Sequence, residues 1–224
     1  YILNAWKESA TAGFDMVGYS GDGVDGRSVS HSLGVIPELM IIKRRTNTDP
    51  WPVYSKDMAA DEYVLLDQDV GKATTKSYYS GTRPTSSVFT VGDNNGTNGT
   101  SNNYFAYLFS SVEGYSKIGD YAGNGNADGT FVYTGFRPAF VMIKRTNEAA
   151  SWGIYDNKRA GYNADNDFLH PDLPQAESDG SAGTIDLLSN GFKCRDTSGW
   201  RNESNDDYIY IAFAERPFKY SNAR

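Results

Sequence analysis

Hydrophobic residues follow two patterns along this chain, and both predict β-strands. From Arg27 to Leu33 a larger side chain alternates with serine, which predicts a strand with one buried and one solvent-facing side. From Leu39 to Ile42 every residue is apolar, so this strand is expected to be buried on both faces in the middle of a sheet. Further strands are predicted at residues 14–19, 63–66, 87–91 and 104–109, with a weaker one at 77–79.

The apolar strand occurs twice. Residues 34–44 have the sequence GVIPELMIIKR and residues 135–145 have GFRPAFVMIKR, at a constant offset of 101 residues. Self-similarity of this kind indicates a duplication, and the offset drifts to 104 by the last strand, as loop insertions would produce. We therefore predict a linker or the end of a preceding domain at residues 1–13, a first repeat at 14–114 and a second repeat at 115–224.

The fold class follows from the spacing of these strands. Each repeat has about seven predicted short strands, turns rich in Gly, Asn and Asp, and no amphipathic helix. This pattern is typical of an all-β protein, here two tandem antiparallel β-sandwiches of jelly-roll-like form. Because the central strands are apolar on both faces, we expect the two sandwiches to pack against each other through Leu39, Ile41, Phe140 and Met142 or the alternate set.

Composition narrows the classes of partner. The formal net charge is -7 and no long basic run is present, so nucleic-acid binding is not expected. No apolar run is long enough for a membrane span, so membrane insertion is not expected either. Cys194 is the only cysteine, which excludes an intrachain disulfide. Because the chain opens at Tyr1 without a methionine or a signal segment, we expect it to be a piece of a longer polypeptide.

The sequence contains no catalytic signature. Acidic residues lie near turns without the context of a glycosidase pair, and neither histidine has metal-ligand spacing. There is no G-x-S-x-G motif, and Cys194 lies within a predicted strand. We therefore expect a non-enzymatic protein without a cofactor, and interpret His31 and His170 as surface or satisfied imidazoles and Asp15, Asp67, Asp156 and Asp186 as solvated acids.

One turn imitates the start of a calcium loop. Residues 124–129 have the sequence NGNADG, and Asn124, Asn126 and Asp128 could supply oxygen ligands at alternating positions. The closing glutamate of an EF-hand is missing, since Gly135 stands at the twelfth position. A tight turn explains the segment as well, so a structural calcium ion and a metal-free turn both stay open.

Several side chains could contact a ligand. Trp51, Tyr54, Trp152 and Tyr155 could stack on a sugar, but Trp51 and Trp152 recur at equivalent positions beside the central strands, which favours packing for these two. Trp200 has no counterpart and lies with Arg201 in a polar loop, which favours a sugar-stacking platform. Residues 92–103 contain no apolar side chain and predict a long surface loop, in which Asn95 and Asn98 are further candidates. The pairs Lys43–Arg44 and Lys144–Arg145 are expected at exposed strand ends.

A set of motifs carries a family resemblance. It comprises GTRPTSSVF at 81–89, GYSK at 114–117 and GTFVYTGFRPAFVMIKRT at 129–146, and it covers nearly everything after Phe14. The chain resembles an uncharacterised tandem β domain of virion structural proteins of marine tailed bacteriophages, where it commonly lies near the C-terminus behind concanavalin-like or laminin-G-like modules. No catalytic residues are known for that family.

The resemblance implies a component of the virion, such as a tail fibre, a tail-associated adhesin or a capsid-decorating protein. It also implies other virion proteins as partners and a homo-oligomer, with a trimer favoured. We therefore expect a structural module that contributes to recognition of a host cell-surface glycan. A purely architectural cement or fibre-shaft role is the alternative, and an enzyme that degrades host polysaccharide is the third. Recognition is expected at the unrepeated loops around 94–103 and 199–205.

Overall fold

The computed structural model describes residues 5–159, 163, 167–178 and 183–216. In these ranges the chain forms sixteen strands, a short 3₁₀ turn at Ala10–Ala12 and one helix of a single turn, α1 at Lys76–Tyr79. The all-β class predicted from the sequence is therefore confirmed. None of the helical segments in this part of the chain has the length and apolar character needed to cross a bilayer.

The chain divides into two units. The N-terminal unit comprises residues 5–67 and 72–110, and the C-terminal unit comprises the described residues from 111 onward together with 68–71. The division after Ser110 lies close to the predicted repeat boundary, but the assignment of residues 68–71 to the second unit was not predicted. Part of the predicted linker is ordered, because Ser9 forms an isolated bridge with Phe14.

The N-terminal unit contains eight strands. A six-stranded sheet has the order β1-β8-β3-β4-β5-β6, and β2 pairs with β7 in a second, two-stranded sheet. The strands are β1 (Phe14–Ser20), β2 (Arg27–Ser30), β3 (Leu39–Arg44), β4 (Pro52–Ser55), β5 (Glu62–Leu65), β6 (Ala73–Thr74), β7 (Val88–Val91) and β8 (Asn103–Phe109).

Eight strands are also described in the C-terminal unit, and they repeat the same plan. Its main sheet has the order β13-β12-β11-β16-β9, and a second sheet has the order β10-β15-β14. The strands are β9 (Ser116–Ala122), β10 (Phe131–Tyr133), β11 (Pro138–Arg145), β12 (Gly153–Asp156), β13 (Phe168–Leu169), β14 (Ile185–Leu188), β15 (Gly191–Cys194) and β16 (Asp207–Ala214).

β3 and β11, the two strands that were predicted to be central, lie in the interior of their sheets. β3 pairs with β8 and β4, and β11 pairs with β16 and β12, always antiparallel. Met40 and Ile42 face a core shared with Phe89 and Val91 of the second sheet, which makes the unit a sandwich. The opposite faces are also buried, at Leu39, Ile41, Phe140 and Met142. That these four residues cover one another across the repeats stays a prediction.

Two local predictions in the N-terminal unit are wrong. Residues 77–79 do not form a weak strand, because Thr75 caps a helical turn by accepting a hydrogen bond from the Ser77 N–H, and Tyr78 and Tyr79 are buried from that turn. Residues 92–103 are not simply a surface loop, because Thr97 and Asn98 are completely buried. Polar side chains can be buried there because their hydrogen-bonding groups are satisfied within the fold.

Candidate functional site

The predicted ligand residue Asn98 is a structural residue that holds two loops together. Its amide nitrogen donates to Asp22 Oδ1 and to the main-chain oxygen of Val24, both at 3.0 Å, and its oxygen accepts from the Asp22 N–H at 3.1 Å. Since Asn98 is completely buried, its side chain is not available to a ligand from solution. Asn95 is exposed, and its main-chain oxygen accepts from Tyr104 Oη at 2.7 Å.

Asn202 performs the same task in the C-terminal unit. Its amide nitrogen donates to Asn124 Oδ1 at 3.0 Å and to the main-chain oxygens of Asn126 and Asp196 at 2.8 Å, and its oxygen accepts from the Asn124 N–H at 3.1 Å. The loop between β15 and β16 is thereby attached to the turn at 124–126. This attachment fixes the position of Trp200 and Arg201, which directly precede Asn202.

The oxygens of the predicted calcium turn already have partners in the protein. Asn124 Oδ1 accepts from the Asn126 N–H, and Asn126 Oδ1 accepts from the Asp128 N–H. A hydrogen bond from Lys193 holds the pKa of the Asp128 carboxyl below its usual range. No cluster of three or more His, Cys, Asp or Glu side chains that could hold a metal ion occurs within the described ranges. A calcium ion at Asn124, Asn126 and Asp128 stays a prediction, and it would have to compete with these bonds.

Trp200 and Arg201 have contrasting environments, although they are neighbours in the chain. Trp200 is 37% exposed, and its ring makes edge contacts with the rings of His170 at 5.3 Å and Phe168 at 6.0 Å. Arg201 is completely buried, with its guanidinium 5.3 Å from the Tyr155 ring and its Nε donating to Tyr155 Oη at 2.7 Å. The structure therefore places the predicted aromatic platform at the surface and the predicted polar contact beneath it.

Three basic side chains bind three consecutive main-chain oxygens beneath Trp200. Lys144 Nζ donates to the oxygen of Ala150 and Arg201 Nη1 to that of Ser151, while His170 Nδ1 lies 2.7 Å from the oxygen of Trp152. Neighbouring Cα atoms are about 3.8 Å apart, so this arrangement gathers the three basic groups into a small volume. All three side chains are at least nine-tenths buried.

These side chains retain unused hydrogen-bonding capacity. Arg201 Nη2, His170 Nε2 and both carboxylate oxygens of Asp172 are buried and have no hydrogen-bond partner in the described part of the chain. Buried polar atoms are normally paired, and those that are not call for a specific explanation. We define Lys144, His170 and Arg201, together with the half-buried Asp172, as the buried polar cluster.

The charge of Lys144 is strongly affected by this environment. Burial lowers the pKa of Lys144 from its ordinary value near 10.5 to about 8, with Arg201 and Arg145 acting in the same direction and Asp172 and Asp69 opposing. Its Nζ also donates to the main-chain oxygen of Asp69 at 2.8 Å, within the segment 68–71. Lys144 is therefore buried and bonded, and the prediction that it is exposed at a strand end is wrong.

Gly153 makes room for Arg201. A Cβ atom at this position would overlap the guanidinium, with Arg201 Nε only 2.8 Å away. In the N-terminal unit, Pro52 stands at the position equivalent to Gly153, 101 residues earlier. Thr97 stands at the position equivalent to Arg201, 104 residues earlier. The buried polar cluster is therefore a feature of the second repeat, and the signal that could reveal it in the sequence is the difference between the repeats.

The remaining aromatic candidates are buried or half-buried. Tyr54, Trp152 and Tyr155 are almost completely buried, and Trp51 is half-buried against Lys43. The burial of Trp152 agrees with its interpretation as a packing residue, while the packing role of Trp51 stays a prediction.

His170, interpreted as a surface or satisfied imidazole, is instead buried with Nε2 unpaired. The interpretation of Asp15 and Asp156 as solvated acids is also wrong, because both are buried, Asp15 accepting from the Ser32 N–H and Asp156 paired with Arg159.

Cys194 is also buried, next to the site. Its sulfur lies 3.5 Å from the main-chain oxygen of Arg201, and burial raises the pKa of the thiol to about 12. The native protein at pH 8 is therefore expected not to react with Ellman's reagent, because the thiolate is the reactive form. Urea-unfolded protein in the same buffer is the control and should release one equivalent of chromophore, whereas rapid release from the native protein would contradict the burial.

The fold and the site together define a class of protein. It is an all-β chain of two antiparallel sandwiches whose main sheets share the order of five strands, and the second sandwich carries an exposed tryptophan next to a buried polar cluster. A family model described as a domain of unknown function (DUF7483) matches residues 4–217, and the chain belongs to this family. No curated protein and no solved structure matches the chain.

Proposed function

We propose that this chain is a non-enzymatic structural module of a bacteriophage virion, in a tail fibre or adhesin, that contributes to recognition of a glycan on the host cell surface. The observation that supports this function best is the exposed Trp200 ring next to the buried polar cluster. The resemblance of the motifs at 81–89, 114–117 and 129–146 to virion proteins supports the location.

The chemistry of this site suits a sugar. A flat indole ring can stack on the apolar face of a pyranose, and sugar hydroxyls both donate and accept hydrogen bonds. Asp172 is half-buried with two unpaired acceptor oxygens, whereas Arg201 is completely buried and helps to hold the loop that carries Trp200. Aromatic rings with one exposed side and placed polar groups are typical of orientation-specific binding sites.

The arrangement on the particle strengthens weak binding. A trimer or another homo-oligomer held by other virion proteins would present several copies of the site together. Linked sites can gain two to four orders of magnitude in avidity without a new contact. A modest affinity of the single site is therefore sufficient for attachment to a cell surface.

Replacing Trp200 with alanine is expected to weaken glycan binding at least about tenfold, which corresponds to about 1.4 kcal/mol. The measurement is binding to an array of bacterial surface glycans and to host envelope material. Tyr133→Ser is the matched control, because Tyr133 is an aromatic residue with 64% exposure that lies on β10, outside the site. Unchanged binding of the Trp200 variant would rule out Trp200 as the platform.

A purely architectural role is the second candidate, and one observation favours it. Phe131 and Tyr133 are 44% and 64% exposed on the edge strand β10, where the equivalent strand β2 of the first repeat has serines. Exposed aromatic side chains on a strand edge suit a contact with another virion protein. If the protein binds no host glycan and Tyr133→Ser disrupts its oligomer, this second function replaces the first.

A further inference from the structure

Strand β10 has a free edge in the C-terminal unit. It is the outer strand of the sheet β10-β15-β14, and no described strand pairs with its other side. On the paired side, the Thr134 N–H donates to the main-chain oxygen of Asn190, just before β15. Main-chain groups of successive residues point to opposite sides of a strand, so Val132 also faces β15. The N–H and C=O groups of Phe131 and Tyr133 therefore point outward, where they are open to another strand.

The same two residues carry exposed aromatic side chains. Phe131 and Tyr133 are exposed, whereas Val132 between them lies in the core. The fold does not require these rings, because β2 of the first repeat has the same exposed and buried positions with serines at 28 and 30. Free strand edges are usually kept polar or charged to prevent pairing between chains. Aromatic residues on such an edge therefore favour the addition of a strand from another molecule.

We propose that β10 pairs antiparallel with β10 of a second copy of this chain, about a two-fold axis next to Val132. In this register Phe131 of each copy lies opposite Tyr133 of the other. Each outward N–H group then reaches an outward oxygen of the second copy, as in the bonded pairs of an antiparallel ladder. The opposed rings form cross-strand aromatic pairs, which stabilise a sheet. The contact is self-complementary, as a two-fold interface must be.

The positions next to β10 select this register. A shift by two residues in either direction would place Gly129 or Gly135 opposite one of the aromatic residues. The N–H groups of both glycines already donate to main-chain oxygens of their own unit. The two-fold register is therefore the one in which all the outward groups of Phe131 and Tyr133 find partners.

The charges beside this edge suit a second copy of an acidic chain. Lys193 lies opposite Phe131 on β15, and it pairs with Asp128. Arg195 pairs with both Asp128 and Asp186. These two positive and two negative side chains balance one another, although the whole chain has a net charge of -7. Two copies can therefore approach at β10 without the like-charge repulsion that opposes association.

Sedimentation equilibrium over a wide range of protein concentration tests the contact. The average mass of the native chain is expected to double as the concentration rises. The double variant Phe131→Ser, Tyr133→Ser should raise the dissociation constant at least about tenfold, because both aromatic pairs are lost. This variant is expected to fold, since it gives β10 the serines that β2 already has.

The double variant Val35→Ser, Ile36→Ser is the matched control. It also removes two exposed apolar side chains, but they lie outside the strands, so self-association should be unchanged. A native chain whose mass does not rise with concentration would overturn the proposal. Equal dissociation constants for the native chain and the β10 variant would overturn it as well.

Amide hydrogen exchange tests the register in the unaltered chain. Exchange at Phe131 and Tyr133 should become slower as the concentration rises, because their N–H groups become bonded in the pair. Exchange at Val132, whose N–H faces β15, should be equally slow at low and high concentration. If the rates at Phe131 and Tyr133 do not depend on concentration, β10 is not the contact, even in a chain that associates.

This contact does not depend on glycan recognition. Trp200 lies outside β10, so loss of glycan binding and loss of pairing are separate outcomes. Glycan binding is best measured below the concentration at which copies pair, where Tyr133→Ser remains a fair control for Trp200→Ala. A trimer formed through other surfaces would become a pair of trimers, and its mass would still double.

Discussion

Replacing Gly123 with alanine is expected to lower the free energy of unfolding by about 3 kcal/mol, near the upper end of the usual range for overpacking. An added Cβ would overlap the main-chain oxygen of Glu203 and lie 2.8 Å from the carbonyl carbon of Asn202. These are backbone atoms of the loop that Asn202 attaches to the turn at 124–126, so no side-chain rotation can relieve the overlap. Thermal unfolding should show a midpoint lowered by about 6–12 °C for a chain of this size.

Gly18 and Gly21 provide the controls for this prediction. Gly18→Ala should change stability little, because the nearest atom to its added Cβ is a ring carbon of Phe105 at 3.4 Å. Gly21 is the counterpart of Gly123 in the first repeat, with the carbonyl carbon of Asn98 also at 2.8 Å, and its alanine variant should lose as much stability. A Gly123 variant as stable as the Gly18 variant would show that the two backbones do not approach this closely.

Asn202→Ala is expected to cost about 3 kcal/mol as well. The change removes the amide that serves Asn124, Asn126 and Asp196, and it leaves buried polar groups unsatisfied at about 1–3 kcal/mol each. Because Asn202 positions the preceding residues, the glycan binding that we propose for Trp200 should also be weaker in the folded fraction of this variant. Urea unfolding followed by tryptophan fluorescence, together with glycan binding below the transition, measures both effects.

Two other asparagines make this test specific. Asn103→Ala should be nearly neutral, because Asn103 is exposed and accepts a recorded bond from the exposed Ser20 Oγ. Asn98→Ala should destabilise the N-terminal unit by a similar amount without a direct effect on Trp200. An Asn202 variant with full stability and full binding would show that the loop holds its position by other contacts.

Much of the fold could be predicted because it depends on local patterns. The duplication, the central position of β3 and β11 and the alternation in β2 all follow from the spacing of apolar residues, since strand side chains alternate between faces. The helical turn α1 could not be predicted in this way. Its aromatic residues favour strands, and the cap provided by Thr75 outweighs that preference.

The site could be predicted only in part. Trp200 and Arg201 can be recognised as candidates from the sequence because the first repeat has no equivalent tryptophan or arginine. Lys144 cannot, because it belongs to the repeated motif and corresponds to Lys43 in the first repeat. His170 lies about thirty residues before Trp200, and only the pairing of β12 with β13 brings it near the loop. Asn98 was wrongly predicted to be a ligand contact in a surface loop. A polar residue of a loop can be buried when its side-chain amide makes hydrogen bonds with the surrounding loop.

The sequence by itself determined the all-β class, the tandem duplication and the identity of the central strands, because these depend on which residues are apolar and how far apart they are. The tertiary structure alone decided which polar residues are buried and which share a site. Three basic side chains from three separate elements meet at consecutive main-chain oxygens below Trp200. Such a meeting depends on long-range strand pairing and on the space left by Gly153, neither of which leaves a local pattern in the chain.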